Sequence, residues 1–203
     1  MRNVARLLEI VAVSGLMAAS ARSEEPPALP AAPDFAARDL AGETRTLGDF
    51  KGKFLVLEWT NFDCPFVKKH YASGNLPALQ KTYMEKGVAW VLVCSSAPGK
   101  QGHGTAEEWR ERLAKAGCAP TAMLLDPEGK LGRLYGAKTT PHIFIVNPEG
   151  RFVYRGAVDD QPSFDPATLE KARNYVRAAL DAALAGRPIE TAETTAYGCS
   201  VKY

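Results

Sequence analysis

No second cysteine stands close behind Cys64. In "NFDCPFVKKHY", residues 61–71, the position three places on is held by Val67, so a local dithiol is excluded. Charge of either sign is not in excess. The net charge of +2 gives no reason to expect nucleic acid or a membrane surface as partner. Long apolar runs are missing too. The most apolar stretch near the start, 10–19, is interrupted at Ser14 and Gly15. It falls short of the about 20 residues that a comfortable span needs. No internal repeat divides the chain, and nothing in its motifs calls for a cofactor. What remains is an ordinary globular composition, 46% apolar and 24% charged over 203 residues, enough for one domain with a real core.

The start reads as an export signal. Arg2 and Arg6 supply the positive charge, 10–19 the short apolar stretch, and Ala19-Ser20-Ala21 the small residues of a cleavage site. Residues 1–21 are therefore expected to be a signal peptide, with an uncleaved anchor as the alternative. No cysteine follows the cleavage site to take a lipid. Residues 22–34, "RSEEPPALPAAPD", read as a flexible Pro/Ala-rich linker. The expected location is exported, periplasmic or secreted, without stable membrane insertion after cleavage. Disulfides persist there, which gives Cys64, Cys94, Cys118 and Cys199 a meaning they would lack in the cytosol. Four cysteines permit three full pairings, and the sequence does not choose among them.

"FAARDLAGETRTLGDFKG" has the pattern of a hairpin turning at Ala41-Gly42. "KFLVLEW", "VAWVLVC" and "TAMLLD" are short apolar runs suited to buried strands. A helix is expected to start at Cys64 with Pro65 at its first position, where a missing N–H costs nothing. Ser73-Gly74-Asn75 breaks it before a second helix that runs to about Lys86. Thr105 and Glu108 form a capping box for another helix, ending at Gly117. A short helical piece covers 131–135. "TTPHIFIVN" and "RFVYRGAV" pair as a hairpin across "NPEG". Asp165-Pro166 is expected to open a helix of about five turns, closed by Gly186. The order predicts an α/β fold: a central mixed sheet flanked by helices, with an N-terminal hairpin and a C-terminal tail.

Cys64 carries the chemistry. A thiol reacts as its thiolate, and a cysteine at a helix start faces unpaired N–H groups and the positive end of the helix dipole. A lowered thiol pKa follows, which Lys68 and Lys69 would assist and Asp63 oppose. A packed or capping cysteine without chemistry is the alternative.

"GETRTLGDFKGKFLVLEWTNFDCPFVK", followed much later by "KTTPHIFIV", resembles the thioredoxin-like superfamily over about residues 29–186. Cys-Pro-Phe-Val-Lys stands where thioredoxins carry Cys-Gly-Pro-Cys-Lys, and Thr140-Pro141 where they carry a cis-proline. Within the superfamily the chain resembles the redoxin or peroxiredoxin-like (AhpC/TSA-type) branch, which includes proteins with a single thiol at the place of Cys64. The resemblance implies a redoxin domain over 35–186 and a tail, 187–203, carrying Cys199. It implies that Pro141 lies against Cys64 and that the Thr140 backbone pairs with an extended thiol substrate as an added strand. Glu58, six residues before Cys64, corresponds to a buried acid that shuttles protons, with a solvated edge carboxylate as the alternative.

Val67 cannot release a bound substrate, so Cys64 needs help. Cys94 ends an apolar strand and reads as core; Cys118, just past a helix end, is ambiguous. Cys199, in the polar tail "TAYGCSVKY", is the candidate resolving partner. A fixed structural bridge between Cys64 and Cys199 is the alternative; either way such a bond would stabilise by about 4–5 kcal/mol on the chain-entropy account.

Three functions follow. The first is an exported thiol–disulfide oxidoreductase, with Cys64 as nucleophile, Cys199 resolving and Thr140-Pro141 docking the substrate. Its partners would be a thiol or disulfide substrate, protein or small molecule, with an external reductant or oxidant. The second is a thiol peroxidase. Against it, the reactive cysteine of peroxiredoxins corresponds to Val67, Thr60 is four residues before Cys64 where their motif uses three, and no arginine can be assigned. The third is a soft-ligand metal site, for instance for copper, from Cys64, His142 and Cys199, with His70 and His103 as further candidates. No strong metal-motif spacing supports it.

Overall fold

The computed structural model describes residues 29–203. The expected signal peptide, 1–21, and the first part of the expected linker lie outside the described residues. The rest of that linker, 29–34, is docked. The Ala32 N–H donates to the Gly150 carbonyl at 2.9 Å, the Phe152 N–H donates to the Pro30 carbonyl at 3.1 Å, and Ala32 is buried.

The N-terminal hairpin is β1 (Ala36–Asp39) and β2 (Thr44–Thr46). Asp39 stabilises its turn by accepting from the amides of Ala41 and Glu43 and from Arg45 Nε. Two strands with every residue buried follow, β3 (Leu55–Trp59) and β4 (Ala89–Cys94). That pattern suits central strands covered on both faces. β5 (Ala122–Leu125) lies parallel to β4 and β4 parallel to β3. β6 is a two-residue strand, Thr139–Thr140. β7 (His142–Val146) runs antiparallel to β3 and makes a hairpin with β8 (Phe152–Gly156). The main sheet has seven strands in the order β2-β1-β5-β4-β3-β7-β8. β9, Cys199–Ser200 in the tail, joins β6 in a separate two-stranded sheet.

Alternation along the strands sorts the two cores. Leu55, Leu57 and Trp59 face a layer containing Phe50, Leu131, Tyr135, Phe144 and Phe152. Val56 and, by alternation, Glu58 face the other layer, built by α1 (Pro65–Ala72), α2 (Asn75–Glu85), α3 (Ala106–Lys115) and α5 (Tyr175–Leu184). α4 (Lys130–Tyr135) covers the first face. This is the expected mixed sheet with helices on both faces.

The long helix expected from Pro166 to Gly186 is two pieces. Asp165 accepts from the Ala167 N–H and starts a 3-10 helix, Pro166–Lys171; the chain then extends at Ala172 before Asn174 caps α5. Tertiary bonding causes the break. Arg173 N–H donates to Asp160 Oδ1 at 3.0 Å and the Tyr175 N–H donates to the Val158 carbonyl at 2.9 Å, both incompatible with a continuous helix. Leu169 and Ala172 are consequently only half-buried, while Val176, Ala179 and Leu180 are buried.

Candidate active site

The turn after β3 aims Cys64. The Cys64 N–H donates to the Asn61 carbonyl at 2.9 Å, and Asn61 Oδ1 accepts from the Asp63 N–H at 3.0 Å. Asn61 is itself held by the loop after β4, through a 3.2 Å bond from its Nδ2 to the Gln101 carbonyl. Cys64 is the N-cap of α1 and Pro65 its first residue, as expected.

Across from it, the Thr140–Pro141 peptide bond is cis. The Thr140 carbonyl oxygen lies 3.2 Å from Cys64 Sγ. The strand position beside Thr140, expected for a substrate, is filled by the chain's own tail: Thr140 pairs with Cys199 and Thr139 with Ser200. Cys199 Sγ is thereby brought to 2.7 Å from Cys64 Sγ, across 135 residues of chain. Cys64 is fully buried and Cys199 half-buried.

Burial works to raise the Cys64 pKa, but hydrogen bonding from Cys199, the Val67 N–H and Thr140 outweighs it and holds the thiol below its ordinary value. The direction agrees with the helix-start argument; the largest lowering influence is the tail cysteine. The Val67 N–H approaches the sulfur without closing a full capping bond. No lysine is among the leading influences. Lys69 is turned into a buried cluster, described below, and Asp63 pairs with Arg112 at 3.5 Å. Cys199 moves the opposite way, pushed up to about 11 by burial and by Cys64 beside it.

Neither of the other two thiols hydrogen-bonds to this pair. Burial raises Cys94 to about 11, and its Sγ contacts Ser96 Oγ and the Gly102 carbonyl at 3.4 Å. Burial raises Cys118 to about 12, helped by the Glu58 carboxylate.

Glu58 is fully buried, which removes the solvated-edge alternative. Tyr71 Oη donates to it at 2.7 Å, Trp90 Nε1 at 2.8 Å and Gln80 Nε2 at 3.2 Å. Burial lifts its pKa to about 7 despite these donors. None of its hydrogen bonds reaches Cys64.

The three-ligand metal set does not assemble. Among the described residues no three Cys, His, Asp or Glu side chains converge on a metal position. His142 accepts from the Lys138 N–H at 3.3 Å through Nδ1, and its ring packs 4.4 Å from that of Phe144. Burial lowers it to about 4. His70 is engaged elsewhere, taking a 2.8 Å bond from Asn75 Nδ2 on Nδ1.

The sequence reading missed the seat of the tail. Lys69 and Asp159 form an ion pair at 3.5 Å with both side chains fully buried. The Tyr197 hydroxyl enters this pair: it donates to Asp159 Oδ1, accepts from Lys69 Nζ at 3.3 Å and lies 3.5 Å from His70 Nε2. Burial and the Lys69 charge lower His70 to about 4 against the pull of Asp159, so its ring is neutral near pH 7. The one available signal was that Tyr197 stands two residues before Cys199; nothing local marked Lys69 or Asp159 as buried.

Comparison with known proteins identifies the family. The model of the AhpC/TSA family matches residues 30–155. The chain belongs to the AhpC/TSA family. Among solved structures, this AhpC/TSA chain is similar to an uncharacterised conserved protein of Geobacillus kaustophilus, at 31% identity and TM-score 0.75, covering 87% of this chain and 92% of that one. A hypothetical protein of Sinorhizobium meliloti is 27% identical with TM-score 0.73, covering 87% and 94%. A candidate thiol:disulfide interchange protein, DsbE, of Chlorobium tepidum is 25% identical with TM-score 0.58, covering 77% and 97%. No curated protein matches the chain. The fold of this family member is thioredoxin-like.

Proposed function

We propose that this chain is an exported thiol–disulfide oxidoreductase of the redoxin type that cycles between a Cys64–Cys199 disulfide and the two free thiols. The observation that carries this reading is the 2.7 Å approach of Cys199 Sγ to Cys64 Sγ beside the cis-proline loop. Cys64, with its lowered pKa, is the sulfur suited to nucleophilic attack and to leaving. Cys199 takes the place of the second sulfur of a dithiol, and Thr140-Pro141 positions the strand that carries it. The likeness to the Chlorobium protein, described as a thiol:disulfide interchange candidate, supports the same chemistry. Export rests on the leader-like start of the chain. Among the described residues no helix is long and apolar enough to cross a membrane.

The test is disulfide mapping of the oxidised protein, paired with an exchange assay using glutathione and a small disulfide. A Cys64–Cys199 bridge is expected, with exchange falling to background in Cys64→Ser. Finding Cys94 bridged to Cys118, with Cys64 and Cys199 both free, ends the proposed cycle.

A further inference from the structure

We propose that an external thiol opens the Cys64–Cys199 disulfide by attacking Cys199, so that the tail sulfur, rather than Cys64, carries the mixed disulfide. This rests on the redox cycle proposed above and adds which sulfur faces the substrate.

The argument is access. Cys64 is fully buried, whereas Cys199 is half-buried. The strand that lies over Cys64 is pinned on both sides of Cys199. Upstream, the Tyr197 hydroxyl sits between Lys69 and Asp159. Downstream, the Val201 N–H donates to the Lys138 carbonyl at 3.1 Å, the Ala97 N–H donates to the Lys202 carbonyl at 2.8 Å, and the Tyr203 hydroxyl donates to the Ala137 carbonyl at 2.8 Å. Between these anchors Gly198, at φ +139°, is pressed so close that a Cβ there would lie 2.1 Å from the Thr140 carbonyl oxygen. The pairing edge of β6 is therefore occupied, and an incoming strand cannot use it while the tail is in place. The surface cavities at Phe54–Phe152, at Phe62–Arg112 and at Pro65–Phe164 are lined by neither Cys64 nor Cys199. A thiol bound for Cys64 must lift the whole strip; one bound for Cys199 need not.

The bond chemistry runs the same way. In exchange the better leaving sulfur is the one whose thiolate is more stable. Cys64 sits at the start of α1 with the Val67 N–H turned toward its sulfur, and that donor stays in place to favour its thiolate when Cys199 carries the substrate. The incoming thiolate forms a bond to Cys199 Sγ as the Cys64–Cys199 bond breaks, and the electron pair leaves on Cys64 Sγ. A second thiolate then attacks the substrate sulfur of the mixed disulfide. The substrate disulfide departs, and Cys199 leaves as a thiolate that takes a proton from water. Two external thiols are oxidised and one protein disulfide is reduced.

The experiment mixes the oxidised full chain with glutathione, quenches at the shortest accessible times with N-ethylmaleimide and maps both cysteine peptides. At early times glutathione is expected mainly on Cys199 and maleimide on Cys64. Glutathione mainly on Cys64 overturns the proposal and leaves the cycle standing. Absence of a Cys64–Cys199 disulfide in the oxidised protein removes the cycle and the proposal together. Tyr197→Ala, which frees the upstream anchor, is expected to raise the share of glutathione on Cys64. An unchanged share overturns the access argument.

Discussion

Consecutive residues of α1 face two different buried polar clusters. Lys69 and His70 turn toward Asp159 and Tyr197, and Tyr71 turns toward Glu58, Gln80 and Trp90. The first is built around an ion pair and includes a residue from the tail. The second is one carboxyl group among uncharged donors. A buried ion pair contributes little net stability compared with apolar packing, yet losing one partner is costly because the other charge is stranded. Such a pair suits a seat that accepts one geometry of one hydroxyl. A lone buried carboxyl answers desolvation differently, by taking up a proton near neutral pH. Burial of similar depth thus holds the tail in one cluster and holds a proton in the other.

The comparison can be broken most sharply at the ion pair. Asp159→Ala leaves the Lys69 ammonium without its partner, and unfolding in urea is expected to show a loss of about 3–5 kcal/mol. A loss below ~1 kcal/mol would mean that the pair is solvated and that Tyr197 is not seated by charge.

The next effect belongs to Glu58 and depends on pH. Its folded pKa, about 7, lies above its ordinary value of 4.5, so the folded state binds more protons between those values. Its contribution is fully present below the unfolded pKa and is lost as pH rises through about 7. Over that window wild type should lose on the order of 3 kcal/mol relative to Glu58→Gln. His70 and His142, both lowered to about 4, act in the opposite sense, because acidification below the ordinary histidine value of 6.5 favours the unfolded state. The difference between wild type and variant isolates Glu58. Urea midpoints for the two proteins that run parallel from pH 5 to 8 would mean that Glu58 does not titrate there.

Tyr197→Phe gives the smallest of the three changes. It removes one hydroxyl from between two buried charges, at a cost of about 1–3 kcal/mol. Part of that cost falls on tail docking, so iodoacetamide should label Cys64 of the reduced variant faster than wild type. Equal labelling rates would show that the hydroxyl does not help to hold the tail over the sulfur.

Much of the fold was legible because its signals are local. Pro65 at the first position of α1, the Thr105–Glu108 capping box and the buried runs of β3 and β4 act within a few residues, and the structure has each where expected. The helix expected from Pro166 failed for the complementary reason: Asp160 and Val158 take the amides of Arg173 and Tyr175, and no helical periodicity reports that competition. At the site, the position of Cys64 at a helix start could be read from "DCPFVKK", but the largest influence lowering its pKa is Cys199, and Lys69, read as a neighbour of the thiol, serves Asp159 and Tyr197 instead. From residue 30 the Pro/Ala-rich chain pairs with the β7–β8 hairpin, a contact that composition does not report.

By itself the sequence determined where Cys64 sits, that no neighbour three residues away can serve it, and that a central mixed sheet carries it. Those properties follow from short-range sterics, capping and apolar alternation. Tertiary structure alone decided that Cys199 would lie against Cys64, that its strand would occupy the edge of β6, and that Tyr197 would be seated between Lys69 and Asp159. These contacts join residues 135 and 128 positions apart. Their geometry is set by how the tail packs across the finished sheet, which no local pattern encodes.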